Sequence, residues 1–138
     1  MSKELPEEIK KLVDTAKSQG HAVFAIKLAG LSYYYRSINR QEFRTLQEIL
    51  VKETEKVRDE AEAKKAGLKP EDPKIKQIDA WTEKEANNIR EAGEERIARQ
   101  GLLYPPFGEN TPAGVMSALA DRIMQASGFG SEEEPELL

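Results

Sequence analysis

The sequence predicts a mainly α protein with one small β-hairpin, an α+β fold in the order helix, β-hairpin, long αα-hairpin, C-terminal helix. Three observations carry this expectation. Apolar residues recur at helical spacing in four stretches, β-rich composition occurs once, between Ala22 and Arg36, and clusters at Gly20, Gly67–Pro73 and Gly101–Pro112 separate these stretches. The length of 138 residues fits one domain. A chain of roughly 150 residues buries about 70% of its unfolded surface, enough for a core without metal or disulfide staples. That core is small, because 7% of residues are aromatic and 33% are charged.

The first helix is expected over Leu5–Ser18. Pro6 suits its first turn, Glu7 and Glu8 sit near the positive end of the helix dipole, and Leu5, Ile9, Leu12, Val13 and Ala16 form one apolar stripe. Gly20 ends it. The runs Ala22–Leu28 and Ser32–Arg36, separated by Ala29-Gly30-Leu31, then read as a hairpin. Its three tyrosines, Tyr33 to Tyr35, alternate faces, so at most two lie together.

Asn39 followed by Glu42 has the N-cap and N3 chemistry of a capping box, with Ile38 placed to staple against Phe43. A long helix starts there, with Phe43, Leu46, Ile49, Leu50 and Val57 on its stripe. From Arg58 to Ala66 alanine is the sole apolar residue, and Gly67 and Pro70 mark a break. Asp72-Pro73 fits an N-cap followed by proline at the first helical position. The second long helix carries Ile75, Ile78, Trp81, Ala86, Ile89 and Ile97 and stops near Gly101. The pair reads as an antiparallel αα-hairpin projecting around residues 58–80 from a single domain of residues 1–130. The segment Leu102–Asn110 reads as an apolar, proline-rich loop. Thr111 and Pro112 supply an N-cap and first-turn proline for the last helix, whose apolar face is Val115, Leu119, Ile123 and Ala126. Gly128 and Phe129 fit a Schellman stop.

The net charge of −4 is localised. Setting aside Glu132, Glu133, Glu134 and Glu136 leaves 21 acids against 21 bases, so residues 1–130 are neutral. Residues 131–138 are expected to form a disordered acidic tail ending in Leu137 and Leu138. A neutral body gives no general support to nucleic-acid binding, which draws on concentrated basic surface. One local basic cluster exists: Arg36, Arg40 and Arg44, with Arg40 and Arg44 one helical turn apart. It reads either as an exposed basic turn or as a grip for an acidic peptide, on a partner or in the Glu132–Glu136 tail.

Motifs for chemistry are sparse. Cysteine is absent, excluding disulfides, thiol catalysis and cysteine-ligated metal, and His21 is the single histidine. Neither GxGxxG nor GxxxxGK[ST] occurs. Consecutive acids such as Glu94-Glu95 diverge by about 100° on a helix. Asp79 and Glu83 share a face but lack a third ligand. No catalytic, cofactor or metal site is expected, and the chain is expected not to be an enzyme. No apolar run approaches the ~20 residues that span a bilayer, and Met1–Pro6 lacks the apolar core of a signal peptide. A cytoplasmic location without membrane association is the expectation.

Two sets of residues are similar to a known family. The first is Tyr33-Tyr34-Tyr35-Arg36-Ser37-Ile38-Asn39-Arg40-Gln41-Glu42-Phe43, an aromatic-Arg, apolar, Arg-x-Glu-Phe run where a hairpin enters a helix. The second is Ile97 to Pro105, Pro112-Ala113-Gly114-Val115, and Ile123 to Phe129: a Leu-Tyr-Pro step, a Pro-Ala-Gly helix start and a closing Ser-Gly-Phe. Together they resemble the T-even-like baseplate hub assembly proteins of tailed phages and the tail assembly chaperones related to them. The resemblance implies a non-enzymatic protein that binds a tail or hub polypeptide during virion assembly in the host cytoplasm. The alternative is a structural virion component, a peripheral baseplate or tail subunit. The partner is expected to be protein, not nucleic acid or membrane, with homo-oligomerisation left open. Candidate partner-binding residues are Arg36, Arg40, Arg44, Tyr34, Tyr104, Phe107, Leu137 and Leu138.

Overall fold

A computed structural model describes residues 5–130 and Leu137. Its elements are α1 (Glu7–Ser18), β1 (Val23–Leu28), β2 (Leu31–Arg36), α2 (Arg40–Lys65), α3 (Pro73–Gly101), β3 (Leu102–Tyr104) and α4 (Ala113–Ala126). The fold is mainly helical with a small antiparallel sheet, the α+β class that the sequence predicts. The chain forms two compact units, Met1–Arg40 with Glu95–Leu138, and Gln41–Glu94. Among the described residues no helix is long and apolar enough to cross a membrane.

The first unit holds the sheet. α1 begins at Glu7, two residues later than the stripe suggests, because Pro6 takes an extended ψ of 145° and serves as the N-cap. It ends in a Schellman motif: Gly20, at φ +88°, donates to the Lys17 carbonyl (3.0 Å), and His21 N–H donates to the Ala16 carbonyl (3.1 Å). Ile9, Val13 and Ala16 are buried, whereas Leu12 on the same stripe stays 37% exposed.

The strand order is β1-β2-β3. Leu28 pairs with Leu31, so the connection is the two-residue turn Ala29-Gly30, with Leu31 inside β2 instead of in the turn. Both turn residues have positive φ, 50° and 80°, the backbone of the type I′ hairpin whose twist matches that of its strands. Tyr33 and Tyr35 are buried and Tyr34 is half-buried, which is the alternation expected of a strand. Phe24 stacks on Tyr35 across the pair at a centroid distance of 5.6 Å.

The Leu102–Asn110 segment is not wholly loop. Leu102–Tyr104 adds a third strand to the far edge of β2, pairing Tyr34 with Tyr104 and Tyr35 with Leu102 around a bulge. Three residues are too few for period-2 alternation to register, and the strand exists because β2 offers it an edge. The following Tyr104–Pro105 bond is cis.

α4 closes the core, with Val115, Leu119, Ala120 and Ile123 buried and Leu119 and Ile123 fully enclosed. It packs along β2, while α1 packs against β3 and β1. The expected Thr111 cap is not made: Pro112 occupies the N-cap position, and the Thr111 hydroxyl accepts the Gly108 N–H (2.9 Å) to tie the preceding loop. The Schellman stop is made as the sequence predicts. Gly128, at φ +96°, donates to the Gln125 carbonyl (3.1 Å) and Phe129 N–H donates to the Met124 carbonyl (2.9 Å). Ser127 Oγ accepts the Ile38 N–H (2.9 Å), joining residues 89 positions apart.

The second unit is the helical pair. Arg40 is the first residue of α2, which puts Asn39 at the N-cap position and Glu42 three residues on. α3 starts at Pro73, and the Asp72 carboxylate accepts the Lys74 N–H (2.9 Å) as an N-cap residue does. Within Gln41–Glu94 just two apolar residues are buried, Ala61 and Ile78. Around them Lys65 pairs with Asp79 (2.6 Å), and the Lys64 ammonium lies 3.4 Å from the centroid of the Trp81 ring. The acidic tail, Glu132–Glu136, and Leu138 lie outside the described residues. Leu137 is exposed.

Candidate functional site

The candidate partner-binding residues separate by unit. Tyr34, Arg36, Tyr104 and Phe107 belong to the sheet unit, Arg40 is the last residue of its first segment, and Arg44 lies one helical turn on, in the helical pair.

Pairing of β2 with β3 puts Tyr34 opposite Tyr104, so two aromatic side chains separated by 70 positions meet on one face of the sheet. Both remain half-buried. Arg36, at the end of β2, is not a loose surface cation. Its Nη1 donates to the Ser37 carbonyl (2.9 Å) and lies 3.3 Å from His21 Nδ1, which is then the acceptor nitrogen of the ring. The same strand end therefore positions His21, which the sequence places at a turn.

Phe107 stacks under Arg99, whose guanidinium carbon is 5.5 Å from the ring centroid. Glu95 holds Arg99 from one turn back, at 2.9 Å from Nη2 and 3.0 Å from Nε. Arg99, Leu102, Leu103, Pro106 and Phe107 line a shallow recess of about 230 Å³. Leu103 also lines a larger open groove of about 590 Å³ beside α1, with Leu12, Ala16, Thr15, Gln19, Glu7, Glu8, Lys11 and Arg36. Leu12, Ala16 and Leu103 give this groove an apolar floor, and charges of both signs stand around it. Such a groove suits a polypeptide that inserts an apolar side chain between polar neighbours.

Leu12 and Leu103 were not legible as surface residues. Leu12 lies on the α1 stripe and reads as core, and Leu103 reads as part of a loop; both meanings depend on β3, which shapes this face. Among the described residues no group of three His, Asp or Glu side chains is placed to hold a metal ion, and no polar or charged residue is buried.

Fold and surface thus describe a small α+β protein with an open, mixed-polarity groove. No family model matches the chain, and no curated protein or solved structure matches it.

Proposed function

We propose that the chain is a binding protein without catalytic activity that engages a tail or baseplate hub polypeptide during phage assembly. The observation that carries this reading is the meeting, in the sheet unit, of the Tyr33–Arg40 part of the first motif with the three C-terminal motifs. The Tyr33–Phe43 run reaches the Leu-Tyr-Pro step through the Tyr34–Tyr104 pair. It reaches the closing Ser-Gly-Phe through the Ile38–Ser127 hydrogen bond of 2.9 Å. Residues that resemble the family's motifs, far apart in sequence, therefore support one another around β2, as a shared scaffold requires.

The groove walled by α1 and Leu103, with Arg36 at its edge, is the surface that would take the partner. Leu12, exposed on that surface, is the natural anchor contact. The test is co-expression with candidate tail and hub polypeptides followed by pull-down, comparing the native chain with Leu12→Glu. A complex formed by the native chain and lost in the variant supports the proposal, and the absence of any complex overturns it. Stoichiometric copies in purified particles would instead make the protein a structural subunit of the virion.

A further inference from the structure

We propose that the groove beside α1 takes an amphipathic helix of the partner, lying antiparallel to α1, with acidic residues in its first turn, leucine-like residues at its middle and basic residues in its last turn. This rests on the groove being the binding surface, as proposed above, and not on the partner being a phage protein.

The shape of the groove favours a helix. α1 and its C-cap line it from Glu7 to Gln19, with Arg36 of β2 and Leu103 of β3 alongside. Glu8, Leu12, Thr15 and Gln19 recur every three or four residues, a ridge with a repeat of about 5.4 Å. A second helix has the same repeat and can seat its side chains between them, whereas the same-face side chains of a strand are roughly 6.6 Å apart and fall out of step. At the middle, Leu12 is exposed, Ala16 is buried beneath it and Leu103 is half-buried, which makes an apolar seat.

The charges at the two ends set the direction. Glu7 and Glu8 stand in the first turn of α1. Arg36 stands at the other end, since its Nη1 lies 3.3 Å from Nδ1 of His21, just past the α1 C-cap, and donates to the Ser37 carbonyl (2.9 Å). These contacts fix the guanidinium before a partner arrives, which lowers the ordering cost of binding. Lys11, one turn on from Glu7, is next to Leu12 and leaves the two ends opposite in sign. An antiparallel helix brings its N-terminus to Arg36 and its C-terminus to Glu7 and Glu8. Acidic residues in its first turn and basic residues in its last then satisfy the groove and the helix's own dipole together. A parallel helix would have to place those charges against its own dipole.

The experiment is fluorescence anisotropy of the full chain with a labelled alanine-based peptide of about 15 residues. The peptide carries glutamates in its first turn, two leucines one turn apart at its middle and lysines in its last turn; a control peptide has glutamine in place of every charge. Saturable binding of the charged peptide is expected, about tenfold tighter than that of the control. Arg36→Gln, and separately Glu7→Gln with Glu8→Gln, should each weaken the charged peptide about tenfold and leave the control unchanged, a pattern that damage to the fold would not give. In the native protein, a nitroxide on the peptide's N-terminus should broaden the amide resonances of Gln19 and His21 and spare those of Glu7 and Glu8. No saturation by about 1 mM chain overturns the proposal, as does binding indifferent to both charge variants, or broadening at Glu7 and Glu8 instead. Equal binding of a proline-interrupted peptide, or tighter binding of a peptide of residues 131–138, overturns it as well. Peptide binding by a chain that captures no tail or hub polypeptide supports it while rejecting the phage reading, and capture without peptide binding does the reverse.

Discussion

A β-carbon on Gly101 would lie 2.6 Å from Ile123 Cδ1, 2.8 Å from Ile123 Cγ1 and 2.9 Å from the Arg36 carbonyl oxygen. Ile123 is fully buried and the carbonyl belongs to a strand, so neither neighbour can yield cheaply. Gly101→Ala is expected to cost about 1–3 kcal/mol of stability, read as a lower urea midpoint at unchanged slope. Gly93, inside the same helix, meets nothing within 4 Å, and Gly93→Ala should instead stabilise by about 1 kcal/mol. The sequence shows both as helical glycines, one near an end; only the packed structure distinguishes a closure from a dispensable gap. Tyr35 offers a different handle. Burial pushes its phenol above the ordinary value of 10.0, against an opposing pull from the Arg122 charge. The folded state then holds this proton more tightly than the unfolded chain. Its contribution to stability is therefore complete below about pH 10 and is lost as pH rises through the folded value. In urea titrations above pH 10, Tyr35→Phe should lose stability less steeply with pH than the native protein; equal slopes would mean that Tyr35 does not contribute.

The β-turn is the element with most to gain from redesign. Ala29 sits at φ 50°, a left-handed backbone that costs a residue with a β-carbon about 1–2 kcal/mol. Asparagine tolerates that region, and Asn-Gly is the preferred type I′ pair. Ala29→Asn should raise stability by about 0.5–1 kcal/mol, measurable as a higher urea midpoint, and no gain would indicate that the hairpin turn is not limiting. The sequence suggests a turn one residue longer than the one formed, since Ala29 gives no left-handed signal and Leu31 looks like turn filler beside Gly30. The helices were legible because their information is local: periodic stripes, Asp72-Pro73 at one start, Gly20 and Gly128 at two ends. β3 was not, because a three-residue strand is specified by the edge of β2, some 65 residues earlier, and not by its own composition. The candidate site inherits that limit. Tyr34, Arg36, Tyr104 and Phe107 were readable as residue types, but the groove that Leu103 shares with Leu12 exists only once β3 is in place.

At the scale of the molecule, the two units differ in how much they bury. Among the described residues, eleven of the buried apolar side chains belong to the sheet unit and two, Ala61 and Ile78, to the helical pair. Natural probes divide the same way, since Trp81, the one tryptophan, lies in the helical pair, and all four tyrosines lie in the sheet unit. During urea unfolding, Trp81 fluorescence should therefore change at lower denaturant than tyrosine near-ultraviolet dichroism. Superimposable transitions would mean that the units melt together despite their unequal cores. The order of the segments has one more effect, on the chain as it is being made. The sheet unit is discontinuous, with β1 and β2 translated early and β3 and α4 after the whole helical pair. Until Leu102 leaves the ribosome, the nascent hairpin has two bare edges and no α4 over Tyr33 and Tyr35. The growing polypeptide thus passes through a stage of translation in which its most adhesive surface is uncovered, and shielding it is a task for ribosome-associated chaperones.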